Sequence, residues 1–210
     1  MLTVSTFERE PNPAKGGYHH GELREALVAA GLSILEEGGD ASALGLREAA
    51  RRAGVSAMAP YRHFPDKDAL LAAVATIGFE RLRAALEAAD RAGEGEETKR
   101  DALYAQGQAY VAFACAQPGL FRLMFSARSG GARPQALCEA SAAAYAVLSD
   151  RVATLVPAAA AAEEALRSWA LVHGIASLAI DGMVGEAVRT DPQAAAALAH
   201  RLLRLEPISG

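Results

Sequence analysis

From Tyr18 onward, apolar side chains recur every three or four positions and never alternate with polar ones over the length of a strand. That spacing gathers side chains on one face of an α-helix, so the chain reads as all-α, with about nine helices. In Glu22–Glu37, Leu23, Leu27, Ala30 and Ile34 form one stripe, which Gly38 and Gly39 end. A shorter stripe of Leu46, Ala49, Ala50 and Ala53 runs into Gly54, where a tight turn predicts a positive φ. Ser56 is placed to cap a third helix, which Pro65 ends by disfavouring α geometry at Phe64. Asp66 caps a long fourth helix to about Asp90, and Asp68 in its first turn suits the helix dipole. At ~1.5 Å per residue this helix is about 35 Å long, enough to bridge two regions. Ala92–Thr98 is a polar, glycine-bearing loop. Further helices are predicted at about 99–116, 119–126, 135–156, 162–184 and 192–204, with breaks at Pro118, Gly130–Gly131, Pro157 and Pro192. The alanines at 158–162 read as an approach to the helix that follows, and residues 1–17 as a flexible arm.

Composition narrows the class. The 210 residues are 51% hydrophobic, too apolar for a disordered chain. A net charge of −4 means that any nucleic-acid contact must come from a local patch. The uncharged stretch Ala102–Phe121 approaches membrane length but contains Gln106, Gln108, Gln117 and Pro118, so it reads as a buried helix plus a turn, with no membrane partner expected. Glu8, Arg9, Glu10, Pro11 and Pro13 occupy the place where a signal peptide needs an apolar run, and a cytoplasmic protein is expected. Cys115 and Cys138 lack disulfide or metal-ligand spacing, and His19–His20 has no third ligand at a fixed distance, so neither metal nor cofactor is expected. No nucleophile motif or phosphate loop appears. An enzyme is therefore not expected, and no residue is assigned a catalytic role.

The informative block is Leu46–Phe64: a short helix, a glycine turn and a second short helix, which is a helix-turn-helix pattern. Between Arg47 and Lys67 five cations, Arg47, Arg51, Arg52, Arg62 and Lys67, face two anions, Glu48 and Asp66. A basic face beside small residues is what a major-groove reader needs. Ala57, Met58 and Ala59 would let the backbone approach base edges, and Ser56 before them is counted with the DNA-binding residues. Tyr61 and His63 can donate to phosphate oxygens, and Lys67 can pair with phosphate beside the free N–H groups of the long helix. Arg47 adds charge to the same face, and Lys15 could reach an adjacent groove from the arm. For Arg51 and Arg52, an intradomain salt bridge and a DNA contact are equally open.

The run from Lys15 to Ala75, with AGVS and YRHFPDKDALL at its centre, resembles the DNA-binding domain of TetR-family transcriptional regulators. The resemblance implies that Tyr61, His63 and Lys67 contact the DNA backbone. Gly45 and Ala59 depart from it, standing where Ser or Thr is frequent, and Pro60 removes an early helical hydrogen bond. QPGLFRLMFS (117–126) and SWALVHGIASLAIDG (168–182) resemble the C-terminal ligand domain of the subgroup named for a Trp…His-Gly element, here Trp169, His173 and Gly174; Gln117 stands where that subgroup often has His. This implies a helical effector pocket and a dimer built from the last two long helices. Candidate pocket residues are Phe79, Leu82, Tyr104, Tyr110, Phe113, Phe121, Phe125, Trp169 and His173. Candidate interface residues are Leu166, Ala176, Ile180, Met183, Leu198 and Leu202. The expected organisation is an arm at 1–17, a DNA-binding domain at 18–78 and an effector-binding and dimerisation domain at 79–206. The expected partners are a near-palindromic double-stranded operator, a small apolar effector and a second copy of the chain, with the effector releasing a repressor. The alternative is a ligand-binding or scaffold dimer with vestigial DNA binding, which the changes at Gly45 and Ala59 motivate.

Overall fold

Helix ends in the computed structural model, which describes residues 20–38, 40–91, 96–126 and 133–204, fall close to the glycines, prolines and capping residues of the sequence. The order is α1 (His20–Glu36), α2 (Leu46–Arg52), a 3-10 turn (Ala59–Arg62), α3 (Lys67–Asp90), α4 (Glu96–Ala116), α5 (Pro118–Phe125), α6 (Gln135–Ala153), α7 (Ala158–Ile180), α8 (Glu186–Thr190) and α9 (Pro192–Leu203). There is no strand among the described residues. The predicted arm with Lys15, and the breaks at Gly39 and Gly130–Gly131, lie outside them.

Four predicted elements differ. The third helix is a single 3-10 turn, because Pro60 has no N–H to return to Ser56. Instead the Ala59 N–H bonds the Ser56 carbonyl at 3.0 Å, and the His63 and Phe64 N–H groups both bond the Pro60 carbonyl at 2.9 Å. The Ser56 hydroxyl caps nothing; the turn begins after Met58 with no side-chain cap. The alanines after Pro157 are not an approach but the first turn of α7, as the best helix formers should be. That helix stops at Ile180, earlier than predicted, because Gly182 and Gly185 take φ of 74° and 108°, and the unpredicted α8 follows. Lastly, α4 begins at Glu96, inside the segment read as a loop.

The N-terminal helices close around Leu27, Leu44, Ala49 and Leu70, all fully buried. From there α3 runs on into the C-terminal helices, packing against α4, α5 and α6. Its Gly78 lets α5 approach: a Cβ there would lie 2.7 Å from Met124 Sδ, closer than side chains tolerate. Arg81 ties the two halves, with Nη1 donating to Glu36 Oε1 on α1 at 2.9 Å and to Gln117 Oε1, at the α4–α5 junction, at 2.8 Å.

Candidate nucleic-acid interface

The helix-turn-helix is built by its turn. Gly54 sits just past α2 with φ of 68°, as its place in the sequence predicts. The Val55 N–H reaches back to the Ala50 carbonyl at 3.0 Å and the Gly54 N–H to Arg51 at 3.2 Å, the paired closure that left-handed glycine permits. Ala49 and Ala50 are buried beneath the turn, small enough for the next segment to cross closely.

That crossing pushes Ser56, Ala57 and Met58 to the surface, Met58 to 70% exposure and Tyr61 to 45%. Ala59 is half-buried and Pro60 buried, so of the predicted base-facing residues Ala59 turns partly away. Arg47 is exposed on α2, and His63 is half-buried behind the turn. Arg62, absent from the predicted contacts, is exposed beside Tyr61; its place in the basic cluster was the available signal. The Lys67 ammonium donates to the Ser42 carbonyl at 3.0 Å, which holds it at the start of α3. There the Asp66 carboxylate caps the helix by accepting the Ala69 N–H at 2.7 Å.

Arg51 and Arg52 resolve toward the intradomain role. Arg51 grips both oxygens of Glu48 at 2.8 and 2.6 Å. Arg52 spans Glu48 at 3.0 Å, Glu37 at 2.6 Å and Ser33 at 3.1 Å, locking α2 against α1. Those two guanidiniums hold the Glu48 carboxyl down at about 2.

In the C-terminal helices lies a cavity of about 770 Å³. Its wall takes Phe79, Leu82, Tyr104, Tyr110, Phe125 and Trp169 from the predicted pocket set, and adds Leu86, Gln106, Tyr145 and Val172. Phe113 is buried elsewhere in the core. Phe121 and His173 stand behind the wall, around a smaller cleft of about 170 Å³ shared with Ser177 and Asp181. Phe125 borders both spaces, and Tyr110, in the wall of the larger one, bonds a residue of each. Its hydroxyl accepts from Trp169 Nε1–H at 3.3 Å and is hydrogen-bonded to His173 Nδ1 at 2.8 Å. Burial holds the His173 imidazole below its ordinary 6.5.

Among the predicted interface residues, Leu166, Met183 and Leu202 are exposed and Leu198 is half-buried. Ala176 and Ile180 are instead buried within this chain's own core, so they cannot present an outer face. The exposed strip of α7 carries Leu171, Gly174 and Leu178, turned away from the stripe expected.

Comparison with known proteins agrees with this architecture. A family model described as bacterial regulatory proteins, tetR family, matches residues 27–74, and one described as tetracyclin repressor-like, C-terminal domain, matches residues 103–205. Among solved structures, a protein of unknown function from Rhodococcus sp. RHA1 is 38% identical, with 91% of this chain and 100% of that chain covered and a TM-score of 0.70. A regulatory protein of the tetR family from Rhodococcus RHA1 is 20% identical over 89% of this chain and 99% of its own, with a TM-score of 0.59. A TetR variant from Acinetobacter baumannii AYE in complex with minocycline is 19% identical over 88% and 94%, with a TM-score of 0.58. With a helix-turn-helix at one end, a hollow helical region at the other and both family models matched in order, the chain belongs to the TetR family of bacterial DNA-binding transcriptional regulators.

Proposed function

We propose that this regulator is a homodimeric repressor that holds a near-palindromic operator and leaves it when a small, largely apolar effector enters the C-terminal helices. One observation carries the reading. The 24-residue α3, about 36 Å long, has the half-buried Lys67 at its start and Phe79, Leu82 and Leu86 in the cavity wall further along. A molecule that fits one tilt of α3 better than another shifts the population of tilts, and the recognition turn moves with it. The proposed division is an arm at 1–17, a DNA-binding domain at 18–78 and a regulatory domain at 79–206.

Dimerisation is supported by α7. Leu171 and Leu178 are each 50% exposed, with open space above Gly174 between them, and Met183 at 74% continues the apolar surface. A strip of this kind marks an interaction surface. Pairing through it, together with α9, would hold two recognition turns about 34 Å apart, one duplex turn.

The test is selection of bound duplexes from a random pool, followed by affinity measurements across a salt series. Steep loss of affinity with salt is expected, and Lys67→Ala should flatten the logarithmic slope by about one. Weak binding without sequence preference would favour the scaffold reading, which the uncapped start of α2 at Gly45 and the single 3-10 turn at the recognition position also favour.

A further inference from the structure

The cavity is not uniformly apolar. Arg100, Arg133, Arg167 and Arg204 belong to its lining with one carboxylate, Glu164, in a protein whose net charge is −4. Two of these guanidiniums are engaged. Arg167 is held by Glu164 at 3.0 and 2.7 Å, and Arg204 pairs with Asp101 and lies 5.1 Å from the centre of the Tyr104 ring. Arg100 and Arg133 have no ion-pair partner among the described residues, and both are exposed, which puts their charge at the cavity's mouth.

Gln106 stands at the opposite extreme, 2% exposed. Its Nε2 donates to Asp90 Oδ1 at 2.6 Å, and Asp90 is itself gripped by Arg151 at 2.7 and 2.8 Å. Flipping the amide would turn its oxygen onto that carboxylate, so Oε1 is fixed as the acceptor. Among the described residues it is the one buried side-chain oxygen or nitrogen with no hydrogen-bond partner. Buried acceptors are normally satisfied, and this one, on a residue of the cavity wall, is covered by its neighbours with almost no surface of its own. Arg100 and Gln106 are six residues apart on α4, about 9 Å along the axis.

From this arrangement we infer that the effector is an amphipathic organic anion. A carboxylate-like head meets Arg100 and Arg133, an apolar body lies against Tyr104, Tyr110 and Trp169, and a hydroxyl or N–H at the far end of the body parts the packing over Gln106 Oε1 and donates to it. The inference rests on the effector reading of the cavity and supplies its chemistry. A wholly apolar guest would leave the buried acceptor unmet and the two cations unused; a cationic one would be repelled at the mouth.

Trp169 is the chain's one tryptophan and stands in the cavity wall, so its fluorescence reports occupancy. Octanoate, 8-hydroxyoctanoate, 1-octanol and octylammonium should be titrated against the full chain at neutral pH, with operator affinity followed in the same samples. Octanoate should bind about tenfold tighter than 1-octanol, the order given by charge-assisted hydrogen bonds at a partly exposed site. The hydroxy acid should be tighter again. Arg100→Gln with Arg133→Gln, both at exposed positions, should make acid and alcohol equal; Gln106→Met should remove the gain from the hydroxyl. Alcohol or ammonium binding as tightly as the acid, an acid preference that survives the double arginine change, or a silent Trp169 would overturn the inference. Operator binding that persists through such a failure leaves the regulator reading in place. Acid binding in the expected order with no change in operator affinity would support the ligand class and count against effector release.

Discussion

Tyr110 joins two polar side chains of the C-terminal helices. Its hydroxyl is shared by Trp169 and His173, so Tyr110→Phe strands two hydrogen-bonding partners at once. The expected cost is about 1–3 kcal/mol in denaturant unfolding. His173 also makes stability depend on pH. Because burial lowers its folded pKa below 6.5, the unfolded chain takes up the proton first as pH falls. The contribution is complete above pH 6.5 and is lost as pH drops from there toward the lower folded value. An NMR titration should place the His173 midpoint below 6.5; a midpoint at or above that value would contradict the burial argument.

At the level of elements, the start of α3 is the joint on which the proposed DNA contact of Lys67 depends. One carboxylate, Asp66, satisfies the first turn while Lys67 projects from it to the Ser42 carbonyl. Asp66→Ala should cost about 1 kcal/mol and loosen Lys67, lowering operator affinity more than global stability. Amide hydrogen exchange should show the loss of protection confined to the first turn of α3. The α1–α2 clamp behaves differently. Glu48, held at about 2, favours the folded state above its ordinary 4.5, and that contribution disappears as pH falls through this interval. All four side chains, Glu37, Glu48, Arg51 and Arg52, are partly in water, so salt should weaken the clamp.

For the whole molecule, the surface proposed for pairing is the outer strip of α7. Replacing Leu171 and Leu178 together by Glu places charge on a face that is already exposed in the protomer. The helical content should therefore be unchanged. If the strip joins two copies, sedimentation should show a monomer, and operator affinity should fall by orders of magnitude because each half-site is then held alone. A variant that stays dimeric would move the interface elsewhere.

The sequence by itself determined what depends on neighbours along the chain: the helical period, the Asp66 cap, the left-handed turn at Gly54 and the Y-R-H-F-P-D-K string of the recognition region. These are set by backbone sterics and by hydrogen bonds spanning a few residues, so they can be read locally. The shortening of the recognition segment to a 3-10 turn was half-legible, since Pro60 announced a missing hydrogen bond but not the geometry that replaced it. Tertiary structure alone decided which stripe of α7 faces inward, where Ala176 and Ile180 went into the core and Leu171 and Leu178 stayed outside. It also decided which aromatics border empty space, that Arg52 is spent on Glu37, and that Gln106, in sequence only a polar break in an apolar run, is a buried acceptor. In alanine-rich helices more than one face is apolar enough to be buried, and the choice among them falls to packing partners distant in the chain.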